Sequence, residues 1–118
     1  DAYNFVSDLV RSAKKSIILI DNYIDDTVFT LFTKRQKGVK VKVYTNTDNK
    51  VLKLDLDKFY SQYPLIEIID FKQSHDRFLI VDDKEIYHIG ASLKDLGKKW
   101  FAFSKFNKEF LKILEKLG

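Results

Sequence analysis

His75 and Arg77 stand two residues apart at the head of an apolar run, in the stretch SHDRFLIVDDKEIYHIGASLKDLG from Ser74 to Gly97. Side chains alternate along a strand, so both point to one face, which Leu79 and Val81 continue. An imidazole beside a permanent cation suits chemistry on a phosphate. The ring can attack phosphorus and hold the phosphoryl group while the guanidinium binds the non-bridging oxygens. Ser92, in a Gly-Ala-Ser turn downstream, can donate to a phosphate oxygen together with nearby backbone N–H groups. The same spacing also fits a plain strand whose exposed end carries two polar residues, and spacing alone does not choose between them.

Such side chains need a rigid frame, and the hydropathy pattern supplies one. Ala2 to Lys15 reads as an amphipathic helix, with Phe5, Leu9 and Ala13 in a stripe and Val6 and Val10 beside them. SIILID, Ser16 to Asp21, is a short continuous apolar run, as in a strand covered on both faces. Asp25 or Asp26 can N-cap a second helix running to about Lys37, with Gly38 at its C-terminal cap. Val39 to Thr45 (VKVKVYT) alternates strictly and is the clearest strand, with Lys40 and Lys42 on its solvent side.

A turn cluster at Thr45 to Lys50 leads to a third helix, Val51 to Tyr63, ended by Pro64. Strands follow at Leu65 to Phe71, Arg77 to Val81, Glu85 to Tyr87 and Trp100 to Phe106, then a closing helix from Asn107 to Leu117. Early strands separated by helices imply parallel pairing through right-handed crossovers, and later adjacent strands imply hairpins. The expected fold is therefore α/β: a mixed, mostly parallel β-sheet flanked by helices.

The whole chain narrows the classes. Its 118 residues suit one domain with one core. The chain has no Cys, which excludes disulfides, thiolate metal sites and a Cys nucleophile. No apolar run approaches a membrane span and no signal peptide opens the sequence, consistent with a cytoplasmic protein. A start at Asp1 with no Met anywhere points to a piece of a longer protein. The net charge of +4 leans weakly toward an anionic partner.

HDRFLIVD reads H-x-R-x4-D and resembles the H-x-K-x4-D signature of the phospholipase D superfamily. IGAS follows where that family carries its Gly-Ser turn, and KKSIILIDNYI is similar to its first strand and loop. The resemblance runs over essentially the whole chain and implies a phospholipase D-like half-domain. It also implies a mechanism needing no metal or other cofactor. His75 would attack phosphorus to form a phosphohistidine, and Arg77 would stand where the family's Lys binds phosphate. The same His from a second motif would serve as general acid. With one motif here, a complete site requires a homodimer whose two His75 strands face across a twofold axis. His88 follows no such motif and is read as structural. Small single-motif members act mostly on nucleic acid, so DNA is expected as partner in preference to a membrane.

Asp82, the motif's last member and counted with the catalytic set, falls on the opposite face from His75 or just past the strand end. It is expected to orient the turn through hydrogen bonds. Three departures separate this chain from the family. Lys has become Arg, which keeps the charge with a different reach. Counted without a gap, Ser92 stands where the family has Asn; with a one-residue bulge Leu93 does, so an amide is missing either way. The acidic residue that often orients the His is replaced by the apolar WFAFSK, with Asp21 or Asp25 as candidate substitutes.

Lys94, Lys98, Lys99 and Lys105, interleaved with Trp100, Phe101 and Phe103, suit contacts to a nucleic acid backbone. The aromatics fit core strand residues better, while the lysines fit solvation of that strand as well as they fit a phosphate contact. Three readings stay open: a metal-independent phosphodiesterase, a degenerate domain kept for DNA binding or dimerisation within a larger protein, and a generic α/β interaction domain.

Overall fold

The computed structural model describes residues 2–22, 24–48, 57–58, 61, 66–72, 77–89 and 103–106. Helix α1 (Ala2–Ser12) buries Val6, Val10 and Ala13 almost completely, while Phe5 is 40% exposed. The apolar stripe is thus rotated by one residue from the expected Phe5–Leu9–Ala13 line. Phe5 instead meets the ring of Tyr87 edge-on, centroids 5.8 Å apart. The helix also stops three residues before Lys15. The backbone N–H groups of Lys14 and Lys15, which would continue the ladder, are taken by the carboxylate of Asp82.

Strand β1 (Ser16–Ile20) lies parallel to β2 (Lys40–Thr45), and β2 parallel to β3 (Ile66–Asp70). Between β1 and β2 runs helix α2 (Asp26–Phe32). Asp25 is its N-cap, its carboxylate accepting from the Thr27 N–H at 3.0 Å. The helix ends at Phe32 and does not reach Lys37. Thr33 turns its hydroxyl back on the Thr30 carbonyl. Arg35 donates to the Phe32 carbonyl at 2.9 Å and to the Val39 carbonyl at 3.0 Å, so its guanidinium closes a turn. Burial of that guanidinium lowers its pKa. Gly38, at φ +85, belongs to this turn and not to a helix cap.

β4 (Arg77–Val81) pairs antiparallel with β1 on the side away from β2. β5 (Glu85–Ile89) completes a hairpin with β4 and runs two residues past the expected Tyr87, because Phe78↔His88 and Arg77↔Ile89 keep pairing. β6 (Phe103–Phe106) adds antiparallel to β5; the first three residues of the expected strand, Trp100 to Ala102, lie outside the described residues. The six strands lie in the order β3-β2-β1-β4-β5-β6. The sheet is mixed and of the α/β class expected, but it is not mostly parallel. β1–β2 and β2–β3 pair parallel, while β1–β4, β4–β5 and β5–β6 pair antiparallel, because β4 follows β3 without a crossover helix and turns back as a hairpin.

One face carries the main core, where Leu19, Val43 and Leu79 meet Val10 of α1 and Phe32 of α2. Ile20, Tyr44, Ile80 and Ile86 form a second buried cluster on the other face. Of the expected third helix only residues 57, 58 and 61 are described, and all three are helical. The expected closing helix, Asn107 to Leu117, lies outside the described residues. No helix among the described residues is long and apolar enough to cross a membrane.

Candidate phosphate-binding edge

Parallel pairing brings the C-terminal ends of β1, β2 and β3 to one edge of the sheet. β4 runs against β1, so it begins at that edge, and β5, running against β4, ends there. Ile20 pairs with Phe78, so the next residues, Asp21 and Arg77, stand across from each other. Asp21 also continues beside β2, its N–H donating to the Tyr44 carbonyl at 3.0 Å. Thr45 pairs with Asp70, and Arg77 with Ile89. Asp70, Thr45, Asp21 and Arg77 therefore form one polar row, two residues on from the core row of Ile68, Val43, Leu19 and Leu79 and on the same face. β1 is also where the sheet changes direction, with β2 on one side and β4 on the other. In open α/β sheets ligands sit outside the carboxyl ends of the strands at such a switch point.

The row holds one ion pair of consequence. Arg77 Nε lies 3.6 Å from Asp21 Oδ1; the Asp21 side chain is 0% exposed and that of Arg77 27%. A carboxylate withdrawn from water this fully needs a cation beside it, and the strand register delivers one. Arg77 is thus gripped from its Nε side while part of its length remains open to solvent. Next in the row, Thr45 is fully buried and its Oγ1 has no hydrogen-bond partner among the described residues. At the outer end, Asp70 accepts the Thr47 N–H at 3.1 Å, and Lys72 bridges Asp48 at 2.9 Å and Asp70 at 3.6 Å. The Thr47 N–H outweighs desolvation and holds the Asp70 carboxyl below its usual range.

Asp82 sits at the other end of β4. Five residue steps along the strand separate it from Arg77, roughly 16 Å, so the two cannot hold one phosphate. Its Oδ1 accepts from the backbone N–H of Lys14 at 3.0 Å, Lys15 at 2.7 Å and Ser16 at 3.2 Å, and its own N–H donates to the Ser16 carbonyl at 2.8 Å. Burial alone would raise its pKa, but the donors at Lys15, Lys14 and Ser16 outweigh this and lower it. Asp82 and Asp83 both adopt φ 55, the left-handed geometry that Asp tolerates in a tight turn. Asp82 therefore fixes the frame that carries Arg77.

Of the remaining sequence candidates, His75, Ser92, Lys94, Lys98 and Lys99 lie outside the described residues. Asp25, one of the two candidate substitutes for the missing acid, is engaged in capping α2, and Asp21, the other, faces Arg77. His88 lies on the opposite face from Arg77, its ring 5.2 Å from that of Phe78. The Asp21–Arg77 pairing and the buried Thr45 hydroxyl were not read from the sequence. An Asp directly after SIILI is a visible signal, but its partner depends on the β1–β4 register, which local pattern does not encode.

No family model matches the sequence, and no curated protein is similar to it in sequence. Solved structures do resemble the fold. NucT from Helicobacter pylori superposes with a TM-score of 0.71 at 15% identity, over 99% of this chain and 84% of that one. TrmBL2, an archaeal chromatin protein whose structure is described as showing a novel mode of DNA binding, superposes with a TM-score of 0.65 at 16% identity. That match covers 98% of this chain but 46% of the TrmBL2 chain, so the present chain spans about half of that relative. At these identities the likeness establishes the fold alone, a mixed α/β sheet flanked by helices.

Proposed function

We propose that this domain engages the phosphodiester backbone of nucleic acid at the Arg77 edge and, in its leading reading, hydrolyses it through His75. The observation that carries the proposal is Arg77 itself: a cation anchored by a fully buried carboxylate at the switch point of the sheet, two residues after an imidazole. The likeness to TrmBL2, described by its DNA binding, supports nucleic acid as the partner.

In this reading His75 attacks phosphorus as the bond to the leaving alcohol breaks, with Arg77 and Ser92 on the non-bridging oxygens. The His75 of a second copy gives the leaving oxygen its proton and then takes one from the water that cleaves the phosphohistidine. Lys94, Lys98 and Lys99 extend the contact along the backbone. A site built this way is complete only in a homodimer.

The second reading is a binding module without turnover, favoured by the missing amide and by the absence of an acid in WFAFSK. Cleavage of single- and double-stranded DNA in EDTA, wild type against His75→Ala, separates the two. Cleavage by wild type alone supports catalysis through His75. Salt-dependent binding by both proteins with cleavage by neither sinks the enzyme and leaves the module.

A further inference from the structure

The edge of the sheet opposite Arg77 carries a different kind of surface. Lys14 and Lys15 between α1 and β1, Lys37 and Lys40 at the entry to β2, and Lys84 in the β4–β5 turn are all exposed. None of the five forms an ion pair among the described residues, whose ion pairs involve Arg11, Lys72 and Arg77. Their backbones are fixed relative to one another. The Lys40 N–H donates to the Lys15 carbonyl at 3.2 Å, and the Asp82 carboxylate binds the N–H groups of Lys14 and Lys15. Of the two acids in the β4–β5 turn, Asp82 is thereby turned inward onto the backbone and Asp83 stays exposed.

Beside the lysines runs a groove of about 570 Å³, lined by Ser16, Ile18, Lys40, Lys42, Glu67 and Asp83, so two acids stand with two of the cations there. Cations carried by three stitched segments along one edge of the sheet suit a chain of phosphates better than a single small anion. The contact is purely electrostatic and independent of sequence.

We propose that this edge is a second nucleic-acid backbone surface, separated from the Arg77 edge by the length of a strand. The proposal rests on the nucleic-acid reading given above. It implies that part of the affinity for nucleic acid survives loss of the Arg77 site.

The test is binding of wild type and of a combined Lys14→Gln, Lys15→Gln, Lys40→Gln, Lys84→Gln variant to a short DNA duplex over a salt series, with thermal melting to confirm folding. The expected result is a loss of affinity on the order of tenfold or more at low salt. The slope of log affinity against log salt should flatten by about 0.9 for each phosphate contact removed. Glu67→Gln combined with Asp83→Asn should act in the opposite direction and tighten binding, which misfolding cannot mimic. An unchanged slope in the lysine variant, with wild type binding DNA, overturns this surface alone. A wild type that binds no DNA removes the nucleic-acid reading itself, and the surface with it. Binding to anionic phospholipid vesicles in place of DNA would reassign the lysines to a membrane and also overturn the proposal.

Discussion

Arg77 and Asp21 illustrate how a single cross-strand pair can tie a frame to a site. Asp21 has no exposed surface, so removing its charge strands neither water nor solvent-screened groups; it leaves Arg77 half-enclosed beside a smaller side chain. Breaking buried pairs costs about 3–5 kcal/mol, and partial exposure of Arg77 reduces this. Asp21→Ala is therefore expected to lower unfolding stability by about 2–3 kcal/mol in urea titrations. Tyr87 offers a second residue-scale check. Burial first, and then its hydrogen bond to Glu85 at 2.6 Å, pushes its phenol up to about 12. The folded state thus holds that proton more tightly than the unfolded chain, whose phenol titrates near the ordinary value of about 10. Its stabilising effect is fully present below pH 10 and is lost as pH rises through 12, on the order of 3 kcal/mol. Tyr87→Phe should remove this alkaline loss of stability, read as thermal melting against pH.

The elements show where local sequence is enough and where it is not. Strand β4 was legible to the residue, because the apolar run RFLIV is bounded by polar residues on both sides. The end of α1 was not, since its cause is a carboxylate some seventy positions away that draws off the Lys14 and Lys15 N–H groups. The early end of α2 has a similar cause, an Arg35 side chain that closes the chain onto Val39. For the candidate site, the sequence supplied the phosphate-binding type of residue at Arg77, but not the buried partner that the register of β1 and β4 puts beside it. The Asp82 clamp has its own pH signature. Its folded pKa is lowered, so its stabilisation is present above the unfolded carboxylate value of about 3.9 and is lost as pH falls through the lower folded value. Asp82→Ala should destabilise the protein by about 1–2 kcal/mol at neutral pH and abolish that acid component, measured by chemical denaturation at pH 7 and pH 3.

For the whole molecule, the proposed site makes a demand that the fold alone does not meet, a second imidazole from another copy. Sedimentation equilibrium should then give twice the 13.9 kDa chain mass under the conditions where cleavage is assayed. A monomer that still cleaves would refute the shared site while keeping His75 as nucleophile. The position of β1 also bears on how the chain is made. β1, β2 and β3 are complete by Asp70, yet the side of β1 away from β2 is covered only by β4, which begins at Arg77. A nascent chain that has released its first three strands displays an apolar SIILI edge with its backbone donors and acceptors open to any other strand. Until the next dozen residues emerge from the ribosome, that edge is the point at which synthesis is most exposed to misassembly.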